Sequence, residues 1–191
     1  MNKRNLTGFW MGYSVIMAVI AVSFIIWTSL RGAFFPALQG SIMLALGLGL
    51  VFINFPLNVK KLDSKDHTAK DVLFYGTRKA PSLLDIFLTI TGIIPCLIIA
   101  LYWEEFVIVP LSYETYHLYL SAALFLTLLE ATRRTVGIMV PILVVAFSSY
   151  MLFGHFIPGE WGHAQYPLEE LLYIFYLTNE GVWGVLTDMV S

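Results

Sequence analysis

The chain has 191 residues, of which 58% are hydrophobic, 15% aromatic and only 13% charged, and its net charge is −2. Soluble domains carry about 25% charged residues, so this composition excludes an ordinary cytosolic enzyme domain, a disordered chain and a coiled coil, and points to a membrane protein. The charge balance excludes a general nucleic-acid binder, and the single cysteine, Cys96, excludes an intramolecular disulfide and a cysteine-rich zinc site.

Charges partition the rest of the chain. Uncharged runs separate Arg4 from Arg31, Arg31 from Lys60, Asp85 from Glu104, Glu114 from Glu130 and Arg134 from Glu160. A spanning helix needs roughly 20 mostly apolar residues, which predicts spans at 9–30, 34–55, 83–103, 115–131 and 136–153. The first run is longer than a signal-peptide core and has no small-residue cleavage site after it, so it is expected to be retained. Pro36 falls in the first turn of the second span and Pro56 just past its end, both tolerable positions. The polar stretch 56–82 reads as a cytoplasmic connector rather than a domain. Pro81 and Ser82-Leu83-Leu84-Asp85 mark the start of the third span with a capping-box pattern. Pro95, in the middle of that span, predicts a kink. The fourth uncharged run is the shortest, and a re-entrant or interfacial segment is its alternative.

Basic residues set the orientation. Lys3 and Arg4, then Lys60, Lys61, Lys65, Lys70, Arg78 and Lys79, then Arg133 and Arg134 make three clusters, with Arg31 alone elsewhere. Five crossings with a cytoplasmic N-terminus put all three clusters inside and the C-terminus outside. Without the fourth crossing, Arg133 and Arg134 would lie outside. The tail 166–191 differs from the spans. Pro167 suits a helix start, Glu169 and Glu170 suit its positive end, and Leu168, Leu171, Leu172, Phe175 and Tyr176 share one face. Its apolar run is too short to span, so it reads as an external amphipathic, interfacial helix or one packed on a partner. The predicted fold is therefore one all-α polytopic membrane bundle over 1–191, with about five transmembrane helices and this C-terminal helix.

Chemistry is sparse. No phosphate-binding loop is present, and Gly47 and Gly49 read as close helix packing. His155, Glu160 and His163 share a loop but match no metal-ligand spacing. No catalytic residue, cofactor or metal is expected. The most informative ionisable group is Glu130-Ala131-Thr132-Arg133-Arg134, where an acid precedes two arginines by three and four residues on one helix. It reads as a topology anchor with an internal ion pair, a docking site for another subunit, or part of an ion path. No predicted span carries a charge near its centre, where self-sufficient pumps and transporters place ionisable groups. That pattern points to a helper rather than a carrier.

Four stretches carry a family likeness: Leu128–Gly137; Tyr150–Gly154 followed by Ile157-Pro158-Gly159; Tyr166–Leu172; and Tyr176–Gly184. In this order they resemble the small-subunit portion of tripartite ATP-independent periplasmic (TRAP) transporters, of the type served by a TAXI-class binding protein. The likeness runs over about Pro81–Gly184 and is generic before that. It implies cation-coupled uptake, usually with sodium, of an organic acid or similar anion. A periplasmic TAXI-type protein would deliver the solute, a large permease subunit would carry it, and this chain would be the scaffold in a bacterial or archaeal plasma membrane. Such small portions are commonly fused to the large one, so the large subunit is expected here as a separate polypeptide, or the chain as a truncated copy. Glu130, Arg133 and Arg134, with Glu180 and Trp183 from the last stretch, are the candidate subunit-interface or anchor residues. The competing classes are a membrane assembly or regulatory protein and, with only Glu104, Glu105, His155 and His163 to offer, a membrane-embedded enzyme.

Overall fold

A computed structural model describes residues 3–32, 34–58, 69–108, 114–178 and 181–183. Every regular element among them is a helix: α1 Phe9–Arg31, α2 Pro36–Asn54, α3 Ala69–Tyr75, α4 Leu83–Ile108, α5 Thr115–Thr135, α6 Met139–Phe153 with a 3₁₀ turn at Gly154–Phe156, and α7 Leu168–Leu177. Four stretches are long and apolar enough to cross a membrane: α1, α2, Leu83–Tyr102 of α4, and Met139–Phe156. The 21-residue α5 is not among them, because His117, Glu130, Arg133 and Arg134 dilute its apolar run.

Local chemistry accounts for the helix ends. Pro36 opens α2 in its first turn, where its missing N–H is not needed. At α4 the expected capping box is complete: the Asp85 N–H donates to Ser82 Oγ at 3.0 Å and the Ser82 N–H to Asp85 Oδ2 at 2.9 Å. Glu169 and Glu170 occupy the first turn of α7, at the positive end of its dipole. The sharp turn from α5 into α6 uses Gly137 at φ 111°, a conformation that strains other residues. The N–H groups of Val136 and Gly137 both reach the Thr132 carbonyl, at 2.8 and 3.2 Å.

Two expectations change here, the kink at Pro95 and the close packing at Gly47, and the connector gains one short element. The helix keeps helical dihedrals through Pro95 and departs from them at Tyr102, φ −114° and ψ 18°, near the end of the apolar run rather than at its middle. The connector 56–82 contains the short helix α3. Close packing at the glycines is real for Gly49, where an added Cβ would lie 3.2 Å from the Met17 methyl and 3.4 Å from the Tyr13 hydroxyl, but Gly47 faces open space.

The core lies where α2, α4 and α5 meet, with α2 and α4 in the most extensive contact. Gly92 lets them approach: a Cβ there would come within 2.9 Å of Leu48 Cδ1 and 3.3 Å of Thr127 Oγ1. Leu48, Phe52, Cys96, Ile99 and Leu124 fill the space between. Contacts between helix ends give the directions. Asn54 Nδ2 at the end of α2 donates to Ser14 Oγ early in α1 at 2.9 Å, and Asp85 at the start of α4 meets Arg134 at the end of α5. Consecutive long helices therefore run antiparallel. The helix α7 lies against α5, where Ser121 Oγ donates to the Leu172 carbonyl at 2.7 Å. α1 and α6 are peripheral, with 0% and 11% of their apolar windows buried, against 50% for α2. Their exposed faces are apolar, as at Ile16, Val19, Leu30, Met139 and Phe147.

Candidate functional site

At the end of the bundle where α1 begins, α2 ends, α4 begins and α5 ends, five charged side chains form one chain of contacts. Arg4 Nη2 donates to Asp85 Oδ2 at 2.6 Å, and Arg134 Nη1 to Asp85 Oδ1 at 2.6 Å. Arg134 Nε donates to Glu130 Oε1 at 2.7 Å. Arg133 grips the same carboxylate with two bonds, Nε to Oε2 at 2.7 Å and Nη2 to Oε1 at 2.8 Å. The order Arg4–Asp85–Arg134–Glu130–Arg133 alternates in sign and sums to +1. The side chains of Arg4, Asp85 and Arg134 are fully buried, while Glu130 is 22% and Arg133 35% exposed.

The arginines also serve the helix ends. The last carbonyls of a helix lack N–H partners and carry its negative pole. Arg4 Nη1 donates to the Ile53 carbonyl at 3.2 Å, and Arg134 Nη1 to the Phe55 carbonyl at 3.0 Å. Arg4 Nη2 caps α3 through the Tyr75 carbonyl at 3.0 Å. The Arg134 guanidinium also lies 5.0 Å above the centre of the Phe52 ring, a cation–π contact. Burial pushes the Arg4 guanidinium below its usual range, an effect opposed by Asp85 and reinforced by Arg134. It stays cationic, because a guanidinium holds its proton at any physiological pH.

This arrangement can tie helices together but is poorly suited to moving protons. Each carboxylate is held by two guanidinium groups, which do not give up protons. No group of three or more His, Cys, Asp or Glu side chains suited to a metal occurs among the described residues. His163 is engaged with backbone: its Nδ1 lies 2.6 Å from the Ala164 carbonyl and its Nε2 3.0 Å from that of Tyr150.

The pairing of Glu130 with Arg133 and Arg134 follows the helical spacing read from the sequence. Trp183 is elsewhere. It is 2% exposed and donates its indole N–H to the Tyr176 carbonyl, while the Tyr176 hydroxyl donates to the Pro95 carbonyl at 2.8 Å. Pro95 lies ten residues beyond Asp85, roughly 15 Å along α4, so this anchor is separate from the charge cluster. Glu180 lies outside the described residues. Of the candidate interface residues described, only Glu130 and Arg133 have surface to offer, and Arg134 and Trp183 are internal. Sequence reasoning missed Arg4 and Asp85 as members of the site. Arg4 read as a topology signal and Asp85 as a helix cap, and the one signal in reach was an acid opening an otherwise uncharged span. Comparison with protein-family models, with curated proteins and with solved structures returned no match to this chain.

Proposed function

We propose that this chain is the small integral-membrane scaffold subunit of a TRAP-type secondary transporter, serving cation-coupled, usually sodium-coupled, uptake of an organic acid-type solute by a separate large permease subunit. The observation that carries this reading is the distribution of charge. Among the described residues, α1, α2, α4, α5 and α6 hold no Asp, Glu, Lys or Arg away from their ends, and the charges at the cluster end neutralise one another in pairs. A carrier needs ionisable or broken-helix sites at the midplane, whereas a scaffold needs a rigid frame with an apolar perimeter. The exposed apolar faces of α1 and α6 suit such a perimeter, and the four ordered motifs between Leu128 and Gly184 supply the family likeness.

In this reading the chain crosses a bacterial or archaeal plasma membrane five times, α5 included, with the charge cluster at the cytoplasmic face. Support comes from the meeting of all three basic segments at one end of the bundle. Arg4, the Leu57 carbonyl just before the central segment, the Tyr75 carbonyl within it, and the Arg133–Arg134 pair are contributed to one network. A short, polar-ended α5 is tolerable because its polar groups are paired with neighbouring helices rather than turned to lipid. The periplasmic partner would be a TAXI-type binding protein acting on the opposite face.

Co-purification from native membranes tests the proposal. A long polytopic permease should be recovered with the chain, and Arg133→Lys should reduce that recovery more than Lys60→Gln or Lys61→Gln, because lysine lacks the planar fork. Proteoliposomes with the pure chain should show no sodium-dependent solute uptake. Reproducible uptake by the chain alone would end the scaffold reading, and the absence of any permease partner would end the TRAP assignment.

A further inference from the structure

Past α6 the chain does not run straight on. The loop 154–163 folds back on the helix that precedes it and is pinned there. The Tyr150 hydroxyl donates to the Trp161 carbonyl at 2.6 Å, and His163 Nε2 lies 3.0 Å from the Tyr150 carbonyl. The His163 ring rests on Gly154, where an added Cβ would overlap it, and meets the Tyr150 ring in a T-shaped contact with centroids 5.2 Å apart. Inside the loop the Ile157 N–H donates to the Gly154 carbonyl at 3.0 Å, and the Gly162 N–H to that of Gly159 at 3.1 Å. A loop closed this tightly has no apolar interior, and its two largest rings stand outside it: Phe156 is 74% and Trp161 77% exposed. The loop also returns to an outward face of α6. Leu143, Phe147 and Tyr150 follow one another at four- and three-residue spacing on that face, and all three are exposed.

Lengths decide what covers these rings. The apolar stretch Met139–Phe156 has 18 residues, about 28 Å of helix. The hydrocarbon core of a bilayer is about 30 Å thick, with headgroup layers of roughly 5–7 Å on either side. The stretch starts just after the Gly137 turn, beside the end of α5, where Arg133 is 35% exposed and belongs among headgroups or in water. Its far end therefore comes to about the opposite edge of the core, and tilt only draws it deeper. Tyr150 sits four residues before Gly154, about 6 Å further in. A helical side chain leans toward its own N-terminus, so the hydroxyl that holds Trp161 lies at the boundary between headgroups and acyl chains. We infer that the loop 154–163 is an interfacial anchor, with Trp161 and Phe156 inserted at the headgroup–acyl boundary of the phospholipid layer. They extend the apolar length of a helix that is slightly short for the core, and that buries only Pro141 against its own bundle. Tryptophan suits this layer, because its ring is apolar and its N–H can meet an ester carbonyl. Backbone at this depth must satisfy its own polar groups, and the bonds to the Gly154, Gly159 and Trp161 carbonyls do so. This inference needs only that α6 crosses a bilayer and does not rest on the transport reading.

The test uses the full chain in phosphatidylcholine nanodiscs. Cys96 is fully buried, so a single nitroxide label can be placed at Trp161→Cys, with Phe147→Cys as the lipid-facing reference and Lys79→Cys, in the polar connector, as the aqueous one. Power-saturation EPR should give position 161 an oxygen-to-nickel accessibility ratio well above that at 79 and close to that at 147. Gly154→Ala, which crowds the His163 ring off its seat, should bring the ratio at 161 down to that at 79 and leave the ratio at 147 unchanged. In the unsubstituted chain, a phosphatidylcholine with a diazirine near its ester carbonyl should label the peptide 154–166 in preference to the connector around Lys79, and this arm stands if a variant fails to fold. A ratio at 161 equal to that at 79, a ratio unmoved by Gly154→Ala, or lipid labelling of 154–166 no greater than that of the connector would each overturn the inference. So would a photocrosslinker at position 161 that captures a polypeptide instead of lipid in native membranes, since that would make the exposed rings a docking surface for another subunit.

Discussion

Replacing Asp85 by Asn removes one charge from the centre of the cluster and little else. The amide oxygen still accepts from the Ser82 N–H, so the start of α4 keeps its cap. What is lost is the carboxylate that two guanidinium groups reach at 2.6 Å each. Arg134 retains Glu130, but Asp85 is the sole carboxylate recorded against Arg4, and its side chain is fully buried. The cluster then holds three positive charges against one negative. At an effective dielectric near 20, each close pair has an attraction of about 4 kcal/mol, much of which offsets desolvation in the intact cluster. Removing one partner of a buried pair typically costs about 3–5 kcal/mol, because the remaining charge stays buried. Glu130→Gln should cost less, since Glu130 and Arg133 reach water or headgroups. Reversible unfolding in mixed micelles, titrated with a denaturing detergent, reads both variants. Arg4→Met in the Asp85→Asn background should destabilise by less than the two single changes added together, with a coupling of roughly 1–3 kcal/mol. A loss below about 1 kcal/mol for Asp85→Asn, or strict additivity in the double variant, would refute the idea that the bundle end is held by this charge chain.

Ser82→Ala leaves the Asp85 charge in place and removes only the reciprocal cap, so it should cost about 1 kcal/mol in the same titration. Trp183→Ala empties a site that is 2% exposed and should cost about 3–5 kcal/mol, whereas Tyr176→Phe removes one hydroxyl donor to the Pro95 carbonyl and should cost about 0.5–1.5 kcal/mol. Cys96 is fully buried, so a polar maleimide should label it only after the bundle is unfolded; rapid labelling of the folded protein would contradict the core packing. Reporter fusions after Ser64 should report the cytoplasm and fusions after Gly162 the outside, and a cytoplasmic signal at Gly162 would remove α5 as a crossing.

Much of the architecture was legible because it depends on short-range signals. The uncharged runs marked α1, α2, α4 and α6, since an apolar stretch in a chain with so little charge has few other uses. Ser82 and Asp85 announced the start of α4 through a contact three residues long, and Glu130 announced its own partners at three and four residues. The position of the break in α4 was not legible. A proline marks where a bend is permitted, but the surrounding packing decides whether it occurs; Tyr176 and Ile99 fill the core near Pro95, and the dihedrals depart only at Tyr102. Likewise Gly92, and not Gly47, sits where an added Cβ would crowd a neighbouring helix, because a glycine matters only where such a helix comes to meet it.

By itself the sequence determined an all-helical chain with several apolar helices, a capped start to α4 and a charged end to α5, because hydropathy, capping and helical spacing act within a few residues. Only the tertiary structure decided that Arg4, Asp85 and Arg134, separated by 81 and 49 residues, form one buried chain of charge. The physical reason is that the antiparallel course of α1, α2, α4 and α5 carries their ends to the same face. No local pattern encodes which acid there will answer which arginine.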